Sequence, residues 1–117
     1  WDDVLAATER AHAEGRESRV VVIGGGLIGM KAAEALSRHA DRIDVFDRSP
    51  RILPAVLDAD GAAVVSRLME PHGIFCHPSM SVDEMLGEAC APDRGFRRGV
   101  RYGYRRGRRA PGEQARR

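Results

Sequence analysis

RVVVIGGGLIG, residues 19–29, joins a β-branched run to a cluster of glycines. Residues 19–23 are apolar without alternation, the pattern of a strand buried on both faces as in a parallel sheet. Gly24, Gly25, Gly26 and Gly29 follow, and LIGMKAAEALSRHA from Leu27 onward is rich in Ala and Leu. That composition predicts a helix ending near Ala40. The flanks repeat the alternation. Upstream, residues 3–14 predict a helix with Val4, Ala7 and Ala11 at helical spacing and Leu5 beside them. Asp2 or Asp3 is expected to cap it and Gly15 to stop it. Downstream, residues 42–47 (RIDVFD) predict a second strand, with Ile43 and Val45 on one side and Phe46 on the other. Residues 49–58, punctuated by Pro50 and Pro54, predict a loop. Residues 59–70 predict a helix with Ala63, Val64, Leu68 and Met69 as its apolar set, ended by Pro71 and Gly73. Residues 74–76 predict a third strand, and Val82, Met85 and Leu86 mark one more short element of either type. Strands alternating with helices give an α/β fold: a Rossmann-like parallel sheet with flanking helices and right-handed crossovers.

The glycines then acquire separate tasks. Gly24-Gly25-Gly26-Leu27-Ile28-Gly29 matches G-x-G-x-x-G, which between a strand and a helix reads as a dinucleotide-binding turn. Gly24 permits the tight turn out of the strand. Gly26 lets the backbone approach a pyrophosphate, and Gly29 lets the helix pack closely on the strand, with Ala33 keeping the next contact small. The start of the helix offers unpaired N–H groups and a partial positive charge to the phosphates.

Asp47 ends the second strand at about the spacing, roughly 20 residues, expected of an acid that accepts hydrogen bonds from the adenosine ribose. Its charge repels a 2′-phosphate, so it predicts NADH in preference to NADPH. Arg48 beside it pulls the other way, because arginine accepts a 2′-phosphate. Asp44, between Ile43 and Val45, is the competing acid and reads as an exposed structural carboxylate. The expected cofactor site is therefore Gly24, Gly25, Gly26, Leu27, Ile28, Gly29, Asp47 and Arg48, with no catalytic residue and no metal.

Charge divides the chain. Residues 1–93 carry 9 Lys+Arg against 16 Asp+Glu, net −7, whereas residues 94–117 carry 10 Arg against Glu113 alone, net +9. Gly95, Gly99, Gly103 and Gly107 recur every fourth residue in that tail, a rate that suits neither helix nor strand. Disorder, or an aberrant end such as a reading-frame error leaves, is the expectation for residues 89–117. The arginines with Phe96, Tyr102 and Tyr104 interleaved also suit RNA or an acidic partner, which makes a small nucleotide-binding module with a basic tail the alternative reading. No apolar run approaches the ~20 residues of a membrane helix, and the segment before Arg19 has no signal-peptide pattern. Cys76 and Cys90 stand far apart, without metal or disulfide-framework spacing, so a reducing cytoplasmic setting is expected. His12, His39, His72 and His77 are scattered and read as ordinary surface histidines. Asp58, Asp60, Asp83 and Glu84 read as acids at helix starts.

RVVVIGGGLIGMKAAEAL, then IDVFDRSPRILP, then a helix closing in MEPHGIF, together resemble the NADH-binding domain of the FAD-dependent pyridine nucleotide-disulfide oxidoreductases, within which NADH oxidases and the rubredoxin, ferredoxin and nitrite reductases are the most similar. The resemblance covers roughly residues 1–88. It implies that NADH binds here with its nicotinamide over a flavin, that hydride passes to FAD, and that electrons go on to a second acceptor. Gly24, Gly26, Gly29 and Asp47 fall on the family's dinucleotide positions, and Arg48 on one that is often basic. Lys31 departs from the family, many of whose members carry Glu there. The division implied is a leading helix with its lead-in segment (1–18), a partial NAD-binding Rossmann-like domain (19–88) and the basic tail (89–117). A fragment is therefore expected. It would be inactive alone for want of an FAD site, with the FAD domain of its parent protein as partner. Dimerisation is another way to cover its open sheet edges.

Overall fold

The computed structural model describes residues 1–82, and all its elements lie in one compact unit, residues 1–80. They run α1 (Asp2–Ala13), β1 (Arg19–Ile23), α2 (Leu27–Leu36), β2 (Arg42–Phe46), α3 (Ala59–Met69), a 3-10 turn (Glu70–His72) and β3 (Ile74–His77). The three strands are parallel in the order β1-β2-β3. This is the expected Rossmann-like α/β arrangement. Expectations for Met85, Leu86, Asp83, Glu84, Cys90 and the tail at 89–117 lie outside the described residues.

Strand register sorts the sheet's two faces. Ile43 pairs with Val20 and Ile74, and Val45 with Val22 and Cys76. Alternation puts all six on one face, and Met30, Ala33, Leu36, Ala40, Ile52 and Ala62 complete the core against it. The central strand carries the burial: Ile43 and Val45 are fully buried, whereas β1 is half-buried along Val20–Val22 and exposed at Ile23. The expectation of a doubly buried β1 is thus corrected. Among the described strands β1 lies at the edge and β2 takes the middle.

Two helix faces are also corrected. In α3 the buried residue is Ala62, with Val65 and Met69 packed beside it, while Val64 and Leu68 are exposed at 48% and 66%. Ala63 is exposed too. Ala62, Val65 and Met69 share one helical face, so of the expected apolar set only Met69 turns inward. In α1 the inward side is Leu5, Thr8 and Ala11 rather than Val4 and Ala7. Thr8 is tolerated there because its hydroxyl donates to the Leu5 carbonyl at 2.8 Å. Neither Asp2 nor Asp3 caps α1. Trp1 occupies the cap position, and the two acids sit in the first turn. Gly15 does stop the helix, in the left-handed region at φ 67°, while the Arg16 N–H closes onto the Ala11 carbonyl at 2.9 Å. The second helix ends at Leu36, four residues early, where the Ser37 hydroxyl donates to the Glu34 carbonyl. Asp58 caps α3 as expected, accepting from the Gly61 N–H at 2.8 Å.

At the N-terminal edge of the sheet one carboxylate ties three segments. Asp41 Oδ2 accepts from the Ser18 N–H at 2.7 Å and from the Ser18 hydroxyl at 3.0 Å, and meets His12 Nε2 at 2.9 Å. His12 is therefore a link between α1 and the start of β2, not a free surface histidine. The Ser18 backbone, with the His12 and Ser18 side chains, holds the Asp41 carboxyl down to about 2. A depressed folded-state value means that this contribution is complete above the ordinary carboxylate range and is lost as pH falls through about 2. Urea unfolding midpoints followed from pH 5 to pH 2 should fall less steeply for Asp41→Asn than for the parent chain. Equal slopes would show that Asp41 contributes nothing to acid stability.

Candidate functional site

The C-terminal edge of a parallel sheet is where open α/β folds receive ligands, and the glycine turn lies there. Gly24 adopts φ 107°, a conformation L side chains rarely take, and its N–H donates to the Phe46 carbonyl at 2.7 Å. The turn is thereby fastened to the end of β2. A Cβ at Gly29 would stand 1.8 Å from the Gly24 carbonyl oxygen but 3.5 Å from Val22 Cγ1. Gly29 is required by the turn's own backbone more than by helix-to-strand packing. Gly26 caps α2 in extended conformation with no side-chain cap, and a Cβ there would meet nothing within 4 Å. The first N–H groups of a helix lack intrahelical partners, so α2 presents donors to open space beside a residue without a side chain. Those features suit a pyrophosphate. Leu27 and Ile28 are exposed at 65% and 87% on the same turn.

Asp47 follows the last residue of β2. Its Oδ2 accepts from the Gly25 N–H at 2.6 Å and its Oδ1 from the Ser49 N–H at 2.7 Å. Burial pushes its carboxyl up. The Ser49 and Gly25 backbone donors, the Ser49 hydroxyl and the nearby Arg48 charge outweigh that, and the group stays below the usual range and ionised. A carboxylate offers about four lone-pair positions, so acceptor capacity remains for a ribose. Gly25 is buried and held from both sides, since its carbonyl also accepts from the Leu53 N–H at 2.7 Å. Asp47 thus shapes the turn as well as standing beside it. The predicted residues Gly24, Gly25, Gly26, Leu27, Ile28, Gly29 and Asp47 are brought together at one edge, with Arg48 exposed at its rim.

Asp44 is not the exposed acid expected. It is half-buried on the other sheet face, with Arg42 Nε and a terminal guanidinium nitrogen each at 2.9 Å and His77 Nε2 at 2.7 Å. Burial raises its carboxyl, but those two partners outweigh it and the net shift is downward. His77 stacks on Phe46 with ring centroids 4.7 Å apart, and Arg42 lies over the Phe75 ring at 4.3 Å. These contacts make Asp44 a structural partner of β3 and leave Asp47 as the candidate acid at the glycine turn. Lys31 is exposed and pairs with Glu34 at 2.8 Å. Cys76 is half-buried, and burial pushes its thiol up. No group of three or more metal-ligating side chains occurs among the described residues. No described helix is long and apolar enough to cross a membrane.

Comparison with known proteins places this geometry. The family model for pyridine nucleotide-disulphide oxidoreductases matches residues 19–91. The chain belongs to this family. The large subunit of the NAD(P)H nitrite reductase of Klebsiella oxytoca is 35% identical over 68 residues, 58% of this chain and 7% of that protein. Among solved structures, the water-forming NADH oxidase of Lactobacillus brevis bound to NADH is 29% identical with a TM-score of 0.55, over 69% of this chain and 18% of that one. An engineered water-forming NADPH oxidase made from it, bound to NADPH, is 28% identical with the same TM-score and the same shares of the two chains. It carries five substitutions: Gly to Ala, Asp to Ala, Ala to Arg, Met to Ser and Pro to Arg. The chain thus spans less than a fifth of the length of each of these oxidoreductases.

Proposed function

We propose that this chain is the NAD(H)-binding part of a flavin-dependent oxidoreductase, with residues 19–88 as the dinucleotide-binding portion. The observation that carries the reading is the turn from Gly24 to Gly29 on an open helix start, joined through Gly25 to the ionised Asp47. The NADH and NADPH bound by the two Lactobacillus-derived oxidases support a dinucleotide as the ligand class. Gly26 and the α2 N–H groups receive the pyrophosphate, and Asp47 accepts the hydroxyls of the adenosine ribose. Leu27 and Ile28 give the dinucleotide an apolar margin. When bound, NADH supplies a hydride to a flavin held by the FAD domain of the parent protein, from which electrons reach a second acceptor. The residues of this chain bind and orient, while the redox chemistry belongs to the cofactors.

Asp47 favours NADH because it accepts hydrogen bonds from a 2′-hydroxyl and repels a 2′-phosphate. Calorimetric titration of NADH onto the full chain tests the assignment, and saturable one-to-one binding is expected. Asp47→Asn removes the charge and keeps one acceptor oxygen. It should weaken NADH about tenfold, the scale of one charge-assisted hydrogen bond. Absence of NADH binding to a chain that circular dichroism shows to be folded would overturn the reading.

A further inference from the structure

We infer that Arg48 and Ser49 form a receptor for a 2′-phosphate beside Asp47, so that this site takes NADPH as a second coenzyme while keeping NADH as the better one. The inference rests on the dinucleotide reading above and concerns only which dinucleotides the site admits.

Two arginines occupy the loop after β2, and their situations differ. Arg51 is turned inward, with Nε donating to the Leu57 carbonyl at 2.8 Å and a terminal nitrogen reaching the Pro54 carbonyl at 3.4 Å. Arg48 is exposed and forms no ion pair among the described residues. Its planar fork matches two oxygens of a phosphate at once. Ser49 follows it, half-buried. Its backbone N–H is committed to Asp47 Oδ1, and its hydroxyl, which also serves the Asp47 carboxylate, is a rotatable donor that can turn from Asp47 to an incoming phosphate while the backbone donor stays in place.

Asp47 is the obvious obstacle, yet both its oxygens are engaged by backbone donors, from Gly25 and from Ser49. Its negative charge is partly met before any ligand arrives. The adjacent guanidinium offsets the rest, so the repulsion facing a 2′-phosphate is smaller than an isolated carboxylate would exert.

The comparison with the engineered oxidase points the same way from a separate direction. The five positions changed to obtain the NADPH-bound protein are spaced as Gly29, Asp47, Arg48, Ser49 and Pro54 are spaced here. This chain keeps the unchanged Gly, Asp and Pro of the NADH oxidase at three of them. At the other two it carries the Arg and the Ser of the NADPH oxidase. The composite set combines a ribose acceptor with a phosphate receptor, which is the chemistry of a site open to both coenzymes.

The test is a pair of titrations, NADH and NADPH onto the full chain, repeated for Arg48→Ala, Arg48→Lys and Ser49→Met, with circular dichroism on each variant. The parent chain should bind both, with NADPH weaker by no more than about tenfold. Arg48→Ala should weaken NADPH at least tenfold more than NADH. Arg48→Lys should restore part of that difference by returning the charge without the fork. Ser49→Met should act in the same direction as Arg48→Ala and less strongly. Raising the salt from 50 to 200 mM should weaken NADPH more than NADH. A parent chain that binds NADH but not NADPH, or an Arg48→Ala variant that weakens both equally, overturns the receptor and leaves the dinucleotide site standing. Binding of neither coenzyme removes the dinucleotide site and the receptor together.

Discussion

Gly26→Val should reduce NADH affinity about a hundredfold or more while the chain stays folded. The two halves of that expectation have separate physical causes. Gly26 has φ −77° and ψ −174°, extended backbone that any residue adopts, and a Cβ there would meet no atom within 4 Å. A β-branched side chain is comfortable in such backbone. Valine is a poorer helix cap than glycine, a cost of about 1 kcal/mol, which lowers the melting temperature by about 4–8 °C in a domain of this size. The open space that makes the substitution harmless to the protein is the space assigned to the pyrophosphate. Two added methyl groups would stand between the ligand and the N–H groups of α2, and losing one or two hydrogen bonds to a charged phosphate, about 1.5–3 kcal/mol each, is enough for an effect of that size. Calorimetry for binding and thermal unfolding for the fold, on the same sample, check both halves. An unchanged NADH affinity would mean that the pyrophosphate does not pass Gly26.

That separation of fold from site was only partly legible in the sequence. The strand, glycine turn, helix and second strand were readable because each carries a local signal. β-Branched residues form the strands, left-handed positions take Gly24 and Gly73, and a proline falls just after α3. Asp47 was readable from its distance along the chain. Its double engagement with Gly25 and Ser49 was not, because no spacing rule records where a backbone N–H points. The inward side of α3 was illegible for another reason. Ala62, Ala63, Val64, Val65, Leu68 and Met69 are apolar around most of the helix, so periodicity alone selects no face, and the sheet it packs on makes the choice. The two-sided burial expected of β1 depends on its neighbours, and among the described strands it has one. Asp44 reads as exposed from its own strand because one of its partners, His77, comes from β3, a pairing that only register creates.

Ile52 is the residue whose importance was hardest to foresee, and Ile52→Ala carries a large expected loss of stability together with a loss of binding. It lies in an irregular loop between two prolines, where large apolar residues are normally half exposed, yet it is 1% exposed. Its Cγ2 comes within 3.2 Å of where a side chain at Gly25 would begin. The next residue, Leu53, holds a left-handed φ of 48° while its N–H donates to the Gly25 carbonyl. That conformation costs about 1 kcal/mol in a non-glycine residue and persists because Ile52 is anchored in the core beside it. Removing the anchor should cost about 3 kcal/mol, within the range of buried Ile-to-Ala replacements, and should free the loop that supports the glycine turn. Ile74→Ala is the control. Ile74 is equally buried, at 1%, but stands at the opposite end of the sheet, at the start of β3. Urea midpoints should fall by similar amounts in the two variants. At temperatures where both remain folded, NADH affinity should fall several-fold for Ile52→Ala and stay within twofold of the parent for Ile74→Ala. Equal affinities in the two variants would show that Ile52 supports the core alone and that the turn from Gly24 to Gly29 keeps its shape without it.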